Sequence, residues 1–191
     1  LVSIWLRPDS SVFDFSIGNP EMEPPAKVKE CLKKIACSEE KGMHKYMSNA
    51  GYDATRKAVS ESIKKDYGYD VPFSNIIMSV GAAAGLFVTL KSVLNPDDEV
   101  VVFKPYFAEY GFYVMHAQGV LVEADCDEFF LPDIDSFKSV ITAKTKAVII
   151  NTPNNPSGAV YPKEVLLALN EAIRQAERKY NSDIFVISDE P

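Results

Sequence analysis

The stretch AVIINTPNNPSG, residues 147–158, decides how the rest of the chain is interpreted. It begins with four apolar residues, Ala147 to Ile150, which predict a buried parallel strand. It then changes into the polar turn NTPNNPSG, whose prolines restrict φ and whose glycine permits a positive φ. Such a loop suits the carboxyl end of a strand, where open α/β sheets bind their ligands.

A second junction of this kind occurs in IFVISDEP, residues 184–191. Here an apolar run is followed by Ser188, Asp189 and Glu190. Because the carboxyl ends of parallel strands meet at one edge of a sheet, we expect Asn155 and Asp189 to lie close together. An amide and a carboxylate placed in this way could hold a polar heterocycle.

The rest of the chain alternates between strand and helix patterns. Apolar runs predict strands, and amphipathic periodicity predicts helices, the last of them long and started by a proline. The predicted strands are 75–80, 99–103, 119–123, 147–150 and 184–187, and the predicted helices are 26–35, 52–67, 86–94, 105–113, 134–140 and 163–180. This alternation predicts an α/β fold with a mostly parallel sheet and helices on both faces, a three-layer α/β/α arrangement.

Composition excludes several classes of function. The 191 residues carry a net charge of −7, which argues against binding to nucleic acid or an anionic membrane surface. No apolar window is long enough to span a membrane. Three cysteines without metal spacing and without an export signal suggest reduced thiols and a cytoplasmic protein. Two distant histidines offer little to a zinc site or a Ser/His/Asp hydrolase, so no metal site is predicted.

The small residues GAAAG, 81–85, lie between a predicted strand and a predicted helix. They would let backbone N–H groups approach an anion such as phosphate, or they would simply allow close packing of helix on strand. The segment is neither a P-loop nor a GxGxxG fingerprint.

Each other candidate residue also has a simpler alternative. Phe107 could stack on a planar ligand or pack in the core. Asn155 could bind a phenolate oxygen or its own backbone. Asp189 could pair with a protonated ring nitrogen or cap a following element. Tyr46 is by default a surface tyrosine.

Taken together, these residues resemble the class I/II aminotransferases, the aspartate aminotransferase family of pyridoxal 5'-phosphate enzymes with fold type I. The resemblance covers nearly the whole chain. Its motifs are IGNPEMEPP, Tyr46 with GYDATRKAV, NIIMSVGAAAGL, DDEVVVFKPYFAEY, KAVIINTPNNPSGAVY and IFVISDEP.

The resemblance implies a role for each matching position. Gly81, Ala82 and Ala83 would bind the cofactor phosphate through their backbone, and Phe107 would stack on its ring. Asn155 would bond the phenolic oxygen, and Asp189 would act catalytically as the partner of the ring nitrogen.

Two further positions extend the implied site. Tyr46 would reach the cofactor phosphate of a neighbouring subunit, which implies a homodimer with shared sites. Gly18 lies in the arm that would close over the substrate carboxylate, and Asn155 is also implied in substrate binding.

The resemblance further implies an incomplete chain. Residues 1–50 would form the N-terminal arm and part of the small domain, and residues 51–191 the cofactor-binding large domain without its C-terminal end. The lysine that forms the Schiff base with the cofactor would lie beyond Pro191. We therefore expect an N-terminal fragment that is inactive by itself.

The implied function is transfer of an amino group from an L-amino acid to a 2-oxo acid. Two alternatives stay open at this point. One is a carbon–sulfur β-lyase of the same fold. The other is a non-catalytic effector domain of a transcription regulator.

Overall fold

The computed structural model of the protein describes residues 22–190, which fall into two compact units. One unit ends at Tyr46 and the other begins at Met47. In the first unit, helix α1 (Ala26–Ala36) confirms the predicted helix at 26–35. The predicted domain boundary at residue 50 stays a prediction.

The second unit is built on a sheet of four parallel strands. The strands are β1 (Glu99–Phe103), β2 (Val120–Ala124), β3 (Thr145–Asn151) and β4 (Phe185–Asp189). Their order is β2-β1-β3-β4, so the two central strands are β1 and β3. The predicted parallel sheet is confirmed.

Helices cover both faces of this sheet. Helices α3 (Gly81–Val93) and α4 (Glu109–His116) pack on one face, and α5 (Ile134–Val140) and α6 (Lys163–Tyr180) on the other. In β1, Val100 and Val102 pack in the core on the face covered by α3 and α4. Val101 and Phe103 pack in the core on the face covered by α5 and α6. Burial of both faces explains why this strand is apolar throughout. The three-layer α/β/α fold is confirmed.

The predicted strand at 75–80 is wrong. Helix α2 (Asp53–Tyr67) is followed by a 3-10 turn at Phe73–Asn75, and residues 76–80 are irregular. The buried Arg56 of α2 donates to the backbone oxygens of Ser74 (3.2 Å) and Ile76 (2.8 Å). These carbonyls are therefore bonded to a guanidinium group instead of a strand ladder.

Two helix starts also differ from expectation. GAAAG at 81–85 is the first turn of α3, so the helix begins five residues before the predicted 86. Helix α4 begins at Glu109 because residues 104–108 form a loop, in which the Tyr106 hydroxyl donates to Glu123 of β2 at 2.7 Å.

Between Met22 and Glu190, no helix combines the length and the apolar character needed to cross a membrane. The same part of the chain contains no group of three or more His, Cys, Asp or Glu side chains that could hold a metal ion.

Candidate functional site

The carboxyl ends of β3 and β4 meet as the sequence predicts. Asn151 and Asp189 are register partners and are the last residues of their strands. The backbone N–H of Asn155 donates to the side-chain Oδ1 of Asn151 at 2.6 Å, which brings Asn155 to the same edge. Asn155 and Asp189 are therefore linked by Asn151, which forms a hydrogen bond with each of them.

The Asp189 carboxylate is held on one side only. The hydroxyl of Tyr110, which is 2% exposed, donates to Oδ2 of Asp189 at 2.5 Å. Burial of the ring, with this hydrogen bond second, raises the pKa of Tyr110, so the hydroxyl stays protonated. No group in residues 22–190 donates to the second oxygen, Oδ1, so this atom is open to a hydrogen-bond donor.

Phe107 reaches this site through Tyr110. Its ring meets the Tyr110 ring edge to face, with centroids 5.6 Å apart and planes at 83°. Phe107 is half-buried and packs against the core between α3, α4 and the sheet. Its ring thus has both a core contact and an accessible part. The predicted stacking on a ligand stays a prediction.

The side-chain hydrogen bonds that stabilise the turn at 152–158 are formed by residues other than Asn155. The Oδ1 atom of Asn154 accepts from the backbone N–H of Ser157 at 3.1 Å and from its hydroxyl at 2.8 Å. Asn151 accepts from Asn155 itself. The Asn155 side chain is exposed and makes no hydrogen bond with residues 22–190, so its amide is available to a ligand.

The two interpretations of GAAAG apply to different residues. A Cβ atom at Gly85 would lie 3.1 Å from Oγ of Ser79, so this glycine permits close packing. Gly81 has φ +79° and open space around the position of a Cβ atom, and within residues 22–190 no side chain caps the first turn of α3. The free backbone N–H groups of that turn are suited to an anion.

An open cleft of about 460 Å³ connects the start of α3 with the end of β4. Its lining includes Ala82, Ile187, Ser188 and Asp189. The same edge thus offers uncapped N–H groups for a phosphate, a carboxylate for a ring nitrogen, an amide for an oxygen and a half-buried aromatic ring. Together these groups are complementary to the functional groups of pyridoxal phosphate.

The roles predicted for Tyr46 and Gly18 stay predictions. Tyr46 belongs to the first unit, where its side chain is fully exposed, and its role toward a neighbouring subunit stays a prediction. Gly18 lies outside the described residues.

Two residues of the site, Tyr110 and Asn151, have no role predicted from the sequence. Tyr110 follows Phe107 by three residues, so the first turn of α4 places both on one side, but nothing in the pattern shows that its hydroxyl meets Asp189. Asn151 ends β3, and only the strand register reveals its partner on β4.

Comparison with known proteins agrees with this geometry. A sequence model of the family described as aminotransferase class I and II matches residues 10–190. The aspartate/prephenate aminotransferase of Thermus thermophilus is 38% identical over 175 residues, which cover 91% of this chain and 43% of the relative. The probable aspartate aminotransferase of Methanocaldococcus jannaschii is 33% identical, over 95% of this chain and 46% of the relative.

Solved structures give the same result. The crystal structure of an amino transferase from Eubacterium rectale superposes with a TM-score of 0.90 at 37% identity, over 94% of this chain and 46% of that one. The chain therefore spans less than half the length of the relatives it matches.

Proposed function

Because the chain belongs to the class I and II aminotransferase family, we propose that the complete protein is a pyridoxal 5'-phosphate-dependent aminotransferase. It would move an amino group from an L-amino acid to a 2-oxo acid. The observation that carries this proposal is the Asp189 carboxylate beside the start of α3: one of its oxygens accepts from Tyr110, and the other has no donor among residues 22–190.

Five residues would contact the phosphate, the phenolic oxygen and the ring face of the cofactor. The backbone N–H groups of Gly81, Ala82 and Ala83 would bind its phosphate, favoured by the positive end of the helix dipole. The amide of Asn155 would donate to the phenolic oxygen, and Phe107 would pack on the ring.

Asp189 is proposed as the catalytic carboxylate. When bound, the cofactor supplies an electron-withdrawing ring that stabilises negative charge on the substrate carbon. A carboxylate at this half-buried position would favour the protonated form of a nitrogen beside its second oxygen. Tyr110 stays neutral and bonded to Oδ2, so it orients the carboxylate without competing for that nitrogen.

The names of the relatives guide the choice of substrate. Several are aspartate aminotransferases, and one from Thermococcus litoralis is an aromatic-amino-acid aminotransferase. These names favour amino-group transfer over the lyase and regulator alternatives. Aspartate is therefore the first amino donor to test. We further propose a cytoplasmic homodimer, in which Tyr46 of one subunit would reach the neighbouring site and Gly18 would close over the substrate.

The test uses the complete protein with pyridoxal phosphate, ¹⁵N-labelled L-aspartate and 2-oxoglutarate. We expect ¹⁵N-glutamate to form, and Asp189→Ala to lower the rate by at least about 100-fold because the ring nitrogen loses its anionic partner. Asp135→Ala is the matched control, since Asp135 is exposed on α5. Absence of labelled product with aspartate and with aromatic donors would contradict the proposal.

A further inference from the structure

We propose that Asn151 is a positioning residue that fixes Asn155 and Asp189 relative to each other. Its consequence for the cofactor rests on the proposed function, whereas the tie between the two residues does not. The buried Asn151 side chain forms hydrogen bonds with both of these residues.

The geometry of Asn151 is defined by the sheet. As the last residue of β3 it is 4% exposed and is paired in register with Asp189, the last residue of β4. Its Nδ2 donates to the backbone oxygen of Asp189 at 2.8 Å. Its Oδ1 accepts from the backbone N–H of Asn155 at 2.6 Å. The side chain therefore extends the β3–β4 ladder by one bond and attaches the following loop to it.

An amide is the side chain that this position requires. Asparagine presents one donor group and one acceptor group in a fixed plane, and here each is used. An aspartate would keep the acceptor but lose the donor, and an alanine would lose both. Because the side chain is buried, either loss leaves a polar group of a neighbour without its partner.

The 152–158 loop depends on the Asn151 hydrogen bonds because its other hydrogen bonds lie within the loop or join it to residues other than those of β4. Asn154 accepts from Gly158 through its backbone oxygen at 2.7 Å, and Thr152 Oγ1 accepts from Tyr161 N–H at 2.8 Å. Among residues 22–190, the contact through Asn151 is the hydrogen bond that links this loop to the end of β4. One residue thus sets the distance between the proposed ring-nitrogen partner and the proposed phenolate partner.

The first arm of the test needs no cofactor. Hydrogen–deuterium exchange with single-residue mass spectrometry is measured on the complete protein, for wild type, Asn151→Ala, Asn151→Asp and the exposed α6 control Asn170→Asp. We expect the Asn155 amide to exchange slowly in wild type and in the control. Asn151→Ala should accelerate it by at least about 10-fold, while Asn151→Asp should keep it slow because the acceptor remains.

The second arm measures the dissociation constant for pyridoxal phosphate by equilibrium dialysis. We expect both Asn151 variants to bind about 10-fold more weakly than wild type, because each loses the bond to Asp189, and Asn170→Asp to bind like wild type. Circular dichroism checks that the variants are folded.

The results separate the two proposals. Fast exchange of the Asn155 amide in wild type, or an unchanged rate in Asn151→Ala, overturns the positioning role whatever the cofactor does. Unchanged affinity in both Asn151 variants, with weakened affinity in Asn155→Ala and Asp189→Ala, also overturns it while leaving the proposed function standing. Failure of wild type to bind the cofactor would instead count against the proposed function.

Discussion

At the residue scale, the Tyr110 hydroxyl orients the Asp189 carboxylate from a buried position in the first turn of α4. Tyr110→Phe would keep the ring packing against Phe107 but remove this hydrogen bond. We expect the complete protein to bind pyridoxal phosphate about 5- to 10-fold more weakly, as for loss of a bond to a charged group. The dissociation constant is measured by equilibrium dialysis.

The matched control for this change is Tyr113→Phe. Tyr113 lies in the same helix and its hydroxyl donates to Glu109, a bond on the exposed side that raises the pKa of Tyr113 to about 12. Cofactor affinity should not change. Equal affinities of the Tyr110 and Tyr113 variants would contradict the role of Tyr110.

The sequence predicts part of this site and not the rest, for a physical reason. Asn155 and Asp189 follow apolar runs, and the rule that parallel strands end at one edge is enough to bring them together. The contacts made by Tyr110 and Asn151 depend on strand register and side-chain direction. Neither quantity is contained in an apolar pattern.

At the element scale, the start of α3 depends on the conformation of Gly81. Its φ of +79° is unfavourable for any residue with a Cβ atom, although the space around it is open. We expect Gly81→Ala to lower the free energy of unfolding by about 1–2 kcal/mol through backbone strain. Chemical denaturation of the complete protein measures this difference.

Gly111→Ala is the control, because Gly111 has helical dihedrals within α4. The nearest neighbour of a Cβ atom added there would be the Leu121 side chain at 3.9 Å. This change should leave stability equal or raise it by up to about 1 kcal/mol. If both alanine variants behave alike, the positive φ at Gly81 does not determine the start of α3.

Helix α5 begins with a side-chain cap from Asp133. Oδ1 of Asp133 accepts from the backbone N–H groups of Asp135 (2.8 Å) and Ser136 (3.0 Å). Asp133→Ala should lower the free energy of unfolding by about 1 kcal/mol. Asp135→Ala removes the same charge without a cap and should change it by less than about 0.5 kcal/mol. Denaturant unfolding curves measure both changes, and an equal loss of unfolding free energy in the two variants would contradict the capping role.

Elements with local signals are the ones predicted best. Helix α6 starts after Pro162 and runs to Tyr180 as expected, because its apolar face and its first residue are both encoded nearby. The segment at 75–80 has an apolar pattern but lacks a neighbouring strand among the described residues. Arg56, distant in sequence, binds its carbonyls instead, and no local pattern reveals that contact.

At the scale of the whole molecule, the two helical layers bury the central strands β1 and β3, whereas the edge strands β2 and β4 keep exposed residues. Cys126 packs beside the core of α5 and α6, and burial, followed by the neighbouring aspartates, raises the pKa of its thiol to about 11. Cys31 and Cys37 are exposed. A raised pKa means less thiolate at pH 8, and the thiolate is the reactive form.

We therefore expect iodoacetamide at pH 8 to modify Cys126 about 100-fold more slowly than a free thiol of ordinary pKa, with Cys31 and Cys37 modified first. Peptide mass spectrometry assigns the three sites. In guanidinium chloride the difference should disappear. Equal rates for the three cysteines in the folded protein would contradict the packing of Cys126.

The fold class follows from the order of the elements, because alternating strands and helices leave few arrangements of a parallel sheet. The division of the core into two clusters follows equally from the alternating side chains of β1. Exposure of the apolar side of α1 does not follow, since its periodicity predicts a buried face, yet no residue of this helix is buried.

The edge formed by α3, β3 and β4 is the proposed binding site for pyridoxal phosphate. Titration of the complete protein with the cofactor, followed by visible absorption, tests it most directly. We predict saturable binding of one cofactor per chain, a band distinct from that of free cofactor that changes when an L-amino acid is added, and affinity weakened at least about 10-fold by Asp189→Ala but not by Asp135→Ala. Absence of saturable binding, or equal affinity in wild type and Asp189→Ala, would contradict the account.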